Sequence, residues 1–155
     1  MQAKFVYQCD RRTFHGKPTA KESAGINARL AELAQRKEAT LDQFINDCLR
    51  YSVAPYEIAP AIEAGSRETK WQSQQLFFLD IDNKEEFSGQ QRVTHEIFLQ
   101  ACEHARIPPA AILTSASHNK QNPRFHALWV SDKPLTDKKM ASQFLIAIAK
   151  LLGSN

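Results

Sequence analysis

The sequence predicts an α/β fold of the α+β type, in which a helical N-terminal half packs on a β-α-β-β-α palm of the RRM or ferredoxin-like pattern that lacks its last strand. Three observations predict it. Hydrophobic residues recur at helical spacing in the first 50 residues, at Leu41, Phe44, Ile45, Cys48 and Leu49 above all. After residue 75 apolar strand-like runs alternate with helical stretches. Two of those runs, "AILTS" and "RFHALWV", follow one another across a polar loop with no helix between them, as in a hairpin.

Taken in order, residues 1–18 mix aromatics and basic residues with Pro18 and read as an irregular or short extended lead-in. Thr19 and Glu22 have capping-box spacing, so a helix should begin there and run to about Lys37, with Ile26, Leu30, Leu33 and Ala34 on one face. Thr40 with Gln43 opens a second helix. Pro55 and Pro60 forbid a long helix between Val53 and Ala64, which leaves extended segments. "GSRETKWQS", residues 65–73, is polar and loop-like. Leu76–Ile81 reads as a strand buried on both faces. Gln90–Arg106 should be a helix burying Val93, Ile97, Phe98, Ala101 and Ala105, and Ala111–Ser115 and Arg124–Val130 should be strands. "SDKP" should turn the chain into a last helix, Thr136–Leu152, with Met140, Phe144, Ile148 and Leu151 inward. The pattern then wants one more strand. The expectation is a piece of a longer protein, or a sheet completed some other way.

The length of 155 residues suits one domain with a real core, divided into a helical part, 1–52, and a palm-like part, 53–155. The net charge of +3 is compatible with a nucleic-acid partner without arguing for one. Three scattered cysteines, Cys9, Cys48 and Cys102, form no CxxC pair, which points to a reducing, cytoplasmic setting. No stretch approaches the roughly 20 apolar residues of a membrane span.

The residues that carry chemistry lie in "LFFLDIDN" and "SASHNKQNPRFHALWV". Side chains two apart on a strand share a face, so Asp80 and Asp82 should stand together while Phe77, Leu79 and Ile81 anchor the strand from behind. Two neighbouring carboxylates repel unless a cation balances them, and hard oxygen donors at an open site suit Mg²⁺ or Mn²⁺. By the same rule Arg124, His126 and Leu128 share one face of the later strand, and Phe125, Ala127 and Trp129 the other. Arg124 and His126, with Ser117 and His118 in the preceding loop, are good donors to phosphate oxygens. The plain alternatives are a turn-capping aspartate, a core histidine at 126 and an exposed loop histidine at 118.

These two segments resemble the archaeo-eukaryotic primase superfamily, closest to the primase–polymerase-like domains of plasmids, phages and integrative elements. The run from Pro60 to Trp71 looks like the same mobile-element branch. The resemblance covers residues 53–152 and implies a DNA primase or nucleotidyltransferase that makes primers from nucleoside triphosphates on a single-stranded DNA template. It implies Asp80 and Asp82 as ligands of Mg²⁺ or Mn²⁺, and His126 as a catalytic residue that also contacts the incoming nucleotide. Arg124, His118 and a serine, Ser115 or Ser117, would help to bind that nucleotide. A helicase or another replication protein would be a partner. One departure matters. The family carries a third acidic motif on a strand after the last helix, and nothing here supplies it. A non-catalytic nucleic-acid-binding module on the same scaffold is therefore the alternative. A haloacid-dehalogenase-like phosphatase fits less well, because Lys84 stands where those enzymes want Thr or Val, and a relaxase-like nuclease would need paired histidines and a tyrosine nucleophile.

Overall fold

β1 (Lys4–Asp10) is buried on both faces along most of its length, and this explains why "KFVYQCD" carries no clear period-2 signal. In the computed structural model, which describes residues 2–59, 70–83, 92–115 and 118–153, β1 is the central strand of an antiparallel sheet. β2 (Arg36–Thr40) pairs on one side, with Val6 opposite Glu38, and β3 (Ser52–Ala54) on the other, with Gln8 opposite Ala54. Two helices pack on this sheet. α2 (Leu41–Arg50) sets Phe44 edge-on against Tyr7 at 4.7 Å. α1 (Ala20–Leu30) brings Ile26 and Leu30 against Ala54 and Arg29 against Asp10, on the face that Gln8 and Asp10 share. The N-terminal half is thus not the helical layer its sequence suggests, but a mixed unit with a three-stranded sheet.

Both predicted capping boxes form, Thr19 with Glu22 and Thr40 with Gln43. The first helix is shorter than expected. It stops at Leu30, a single 3₁₀ turn follows at Leu33–Gln35, and "RKEAT" pairs with β1 as β2. Cross-strand pairing overrides the helix propensity of Lys37, Glu38 and Ala39. On α2 the buried positions are Phe44 and Asp47, whereas Leu49 is exposed.

β4 (Tyr56–Ala59) runs antiparallel to the first half of β5 (Lys70–Asp82), with a register shift between Glu57 and Ile58. β5 begins six residues before the expected strand, because the polar stretch "KWQSQQ" is extended by pairing with β4. β7 (Arg124–Leu135) likewise outruns its prediction through "SDKP". The run from Pro60 to Trp71 lies outside the described residues apart from its last two positions.

The chain divides into two compact units, Met1–Leu76 with Ser131–Ala141, and Phe77–Val130 with Ser142–Asn155. β5 and β7 each pass from one into the other. In the second unit β7 lies between the end of β5 and β6 (Ala111–Thr114), and Leu113 stands opposite His126. α3 (His95–Ala105) and α4 (Lys138–Leu151), the latter from Ser142 onward, supply its helices. Phe98 of α3 meets Phe125 and Trp129 edge-on at 5.4 and 6.1 Å, and Phe144 of α4 packs on Phe77 at 4.5 Å. Trp129 completes its burial by donating its indole N–H to Ile107 O at 3.0 Å. Phe98 and Ile148 are buried as expected, whereas Ile97, Met140 and Leu151, also expected inward, are exposed, and Cys102 and Ala141 are buried in addition. The fold is therefore mixed α+β, with two antiparallel sheets and four α-helices among the described residues. No helix among the described residues is long and apolar enough to cross a membrane.

Candidate functional site

Strand parity sorts the second unit's sheet into two faces. Phe77, Phe125 and Ala127 are fully buried on the helix-covered side, and Trp129 nearly so. Phe78, Asp80 and Asp82 on β5, with Arg124 and His126 on β7, fall on the other. There the two acids meet the two donors one to one. Asp82 Oδ1 lies 2.8 Å from Arg124 Nε, and Asp80 Oδ1 lies 3.4 Å from His126 Nδ1. The contacts step by two along both strands in opposite directions, as antiparallel neighbours require. The Arg124 N–H is not aimed along a hydrogen bond, so its contact is an ion pair.

The side chains of Asp80 and Asp82 are 65% and 46% exposed, so the acid pair opens to solvent instead of being sealed in the core. The ring of Phe78 stands edge-on to His126 at 6.1 Å and backs the imidazole. Asp80 and Asp82 therefore share a strand end beside an Arg and a His of the next strand, where the Arg124 guanidinium offsets part of their repulsion.

The loop that leads into β7 is held by its own backbone and side chains. Ser115 accepts from His118 N and donates to Arg124 O, and Asn119 Oδ1 accepts from the amides of Gln121 and Asn122. His118 is not a free loop residue. Its Nδ1 accepts from the backbone N–H of Arg124 at 3.2 Å, and its ring lies nearly parallel to that of His95 at 5.6 Å. His118 thus supports the residue that faces Asp82. Ser117 lies outside the described residues.

Two residues assigned no role from the sequence belong to this region. Asn83, 2% exposed, donates from Nδ2 to Val93 O and Pro123 O and accepts at Oδ1 from Val93 N. One side chain thereby ties the residue after Asp82 to the residue before Arg124. His95, the first residue of α3, packs edge-on against Phe125 at 4.3 Å as well as on His118, and its Nε2 is buried without a hydrogen-bond partner among the described residues. It is half-buried at the start of α3, against β7 and the loop that leads into it. An Asn at a strand end reads as a turn residue, and only the tertiary contacts reveal the clamp.

The donor set can be tested against Mg²⁺ or Mn²⁺. Asp80 and Asp82 are hard oxygen donors on an open face, each contacting its Arg or His partner through Oδ1. No group of three His, Cys, Asp or Glu side chains is placed to hold a metal among the described residues. Two carboxylates on an open face are donors of the chemical kind that Mg²⁺ takes together with water and phosphate oxygens, and they make no all-protein cage. Asp132 lies in β7, and Asp137 caps α4 by accepting from the amides of Lys139 and Met140, so neither joins the pair.

Compared with known proteins, the chain matches no family model, no curated protein and no solved structure.

Proposed function

We propose that the Asp80/Asp82–Arg124/His126 face is a nucleotide-binding, metal-dependent nucleotidyltransferase site of the primase–polymerase kind, acting with nucleoside triphosphates on a single-stranded DNA template. The observation that carries this reading is the one-to-one pairing of two solvent-open carboxylates with an Arg and a His on the neighbouring strand. Polyphosphate chemistry needs both kinds of group within reach, carboxylates for a divalent ion and cationic donors for phosphate oxygens. Strand order supports the reading too. β5, α3 and β6 form a crossover with β7 inserted between its strands, as in a split βαβ unit, and β4 is the other neighbour of β5, where that pattern has its last strand.

In this mechanism Asp80 and Asp82 hold Mg²⁺ or Mn²⁺. A bound ion would supply charge stabilisation at the phosphates and lower the barrier to attack by a primer 3′-hydroxyl. Arg124 and His126 exchange their carboxylate partners for phosphate oxygens as the nucleotide arrives, which frees Oδ1 of both acids. The hydroxyl oxygen forms a bond to the α-phosphorus as its proton passes to water, and pyrophosphate leaves with the electrons of the broken P–O bond. Asn83 and His118 keep the two strands in register while partners change.

The test is primer synthesis on single-stranded DNA with Mn²⁺ and labelled nucleotides. Product should form, and Asp80→Asn with Asp82→Asn should lower its rate by a factor on the order of 10²–10³. Synthesis that ignores the double substitution overturns the reading. One observation favours a second reading, a non-catalytic nucleic-acid-binding module: no group of three His, Cys, Asp or Glu side chains is placed to hold a metal among the described residues. Salt-sensitive DNA binding without metal and without any synthesis would select it.

A further inference from the structure

A cleft of about 620 Å³ opens in the first unit between the exit of β1 and the first turns of α1, lined by Arg11, Arg12, Phe14, Lys21, Gly25 and Arg29 among others. Its volume suits a nucleotide-sized ligand. One acid lines it, Glu22, and a second, Asp10, lies behind it against Arg29. Asp10 is 2% exposed and held by Arg29 at 2.7 Å, and Glu22 accepts from the amide and hydroxyl of Thr19, both at 2.7 Å. Arg11, Arg12 and Lys21 are exposed and form no ion pair among the described residues. Glu22 keeps its negative charge on the same wall, yet Arg11, Arg12 and Lys21 leave the concavity with a surplus of positive charge. Phe14 is half-buried against the Ile26–Leu30 cluster, which fixes its ring on the cleft wall. Gly25 makes room for the Arg29 guanidinium, since a Cβ there would meet Arg29 Nη1 at 3.1 Å.

We infer that this cleft binds the sugar–phosphate backbone of single-stranded nucleic acid, with Arg11, Arg12 and Lys21 on successive phosphates and Phe14 beside a base. Cations that track a backbone, with an aromatic between them, are the usual means of holding single strands without sequence preference. The inference goes beyond the nucleotidyltransferase reading and stands without it, because none of its residues belongs to the Asp80/Asp82 face.

The experiment measures fluorescence anisotropy of a labelled oligothymidylate of about 12 nucleotides, without divalent metal, over a range of salt, on the full chain. Each lost phosphate contact lowers the slope of log affinity against log salt by about 0.7 on single strands. The variant Arg11→Ala/Arg12→Ala/Lys21→Ala should flatten that slope by about 2 and weaken binding at least tenfold. A control with the same loss of charge elsewhere, Lys4→Ala/Lys139→Ala/Lys150→Ala, should keep the wild-type slope to within one contact. The anisotropy is read without metal or nucleotide, so failure of the cleft is distinguishable from failure of the acid-pair reading, which Mn²⁺-dependent synthesis tests. A triple variant indistinguishable from the control, absence of wild-type binding, or displacement of the strand by equimolar triphosphate would each overturn the assignment.

Discussion

At Asp82 and Asn83 two adjacent side chains do opposite things, one facing solvent and the other sealed in the fold. The three hydrogen bonds of Asn83 reach residues 10 and 40 positions away, which is why sequence reasoning passed it over. By contrast, the alternation of a strand is a local rule, and it correctly put Asp80 and Asp82 on one face and Arg124 with His126 on one face. Asn83→Ala strands the polar groups of Val93 and Pro123, and should cost about 2–4 kcal/mol in urea unfolding. A cost under about 0.5 kcal/mol would show that the clamp is idle. A second residue-scale prediction concerns Asp47, 7% exposed. Burial works to raise its carboxyl, but hydrogen bonds from Lys37 and from Tyr7, the latter at 2.6 Å, outweigh this and hold it below the usual range. A carboxyl depressed in the folded state contributes stability above its unfolded value, near about 3.9, and loses it as pH falls through the folded one. Thermal unfolding followed against pH should therefore show wild-type stability dropping below about pH 4. Asp47→Asn should flatten that acid limb and lower the neutral plateau by about 2–3 kcal/mol. The same surroundings push Cys9 and Cys48 up to about 11 and about 12, burial first and then Asp47, so these thiols stay protonated and unreactive near neutral pH.

Among the elements, the capped helices were legible because a capping box is written within four residues, whereas pairing partners are not local. β2 looks helical, and the first half of β5 looks like a loop, until β1 and β4 are placed beside them. The exposed Ile97 and Leu151 mark another limit, since helical periodicity gives a stripe but not the angle at which the sheet meets it. α3 offers a direct test of its own end. Its C-cap, Arg106, sits at φ 57° in the left-handed region, with its N–H bonded to Cys102 O and Glu103 O. Arg106→Gly removes the Cβ strain and should stabilise by about 0.5–1 kcal/mol, whereas Arg106→Val should destabilise by at least as much. Equal melting temperatures for the two variants would contradict the assigned geometry.

Across the molecule, chemistry is divided between the two units. The acid–cation face belongs wholly to the second, and the basic cleft wholly to the first. The sequence's mild net charge of +3 conceals this division, because an average over the chain hides where the unpaired cations gather. The resemblance to primases rests on short motifs, and their meeting on adjacent strands is the physical content that a test must address. The most direct measurement is calorimetric titration of a nucleoside triphosphate with Mn²⁺ into the wild-type chain and into Asp80→Asn/Asp82→Asn and Arg124→Ala/His126→Ala. The account predicts saturable, Mn²⁺-dependent binding by the wild type, and a loss of at least tenfold in affinity in each double variant. Binding of equal strength in all three proteins would contradict it.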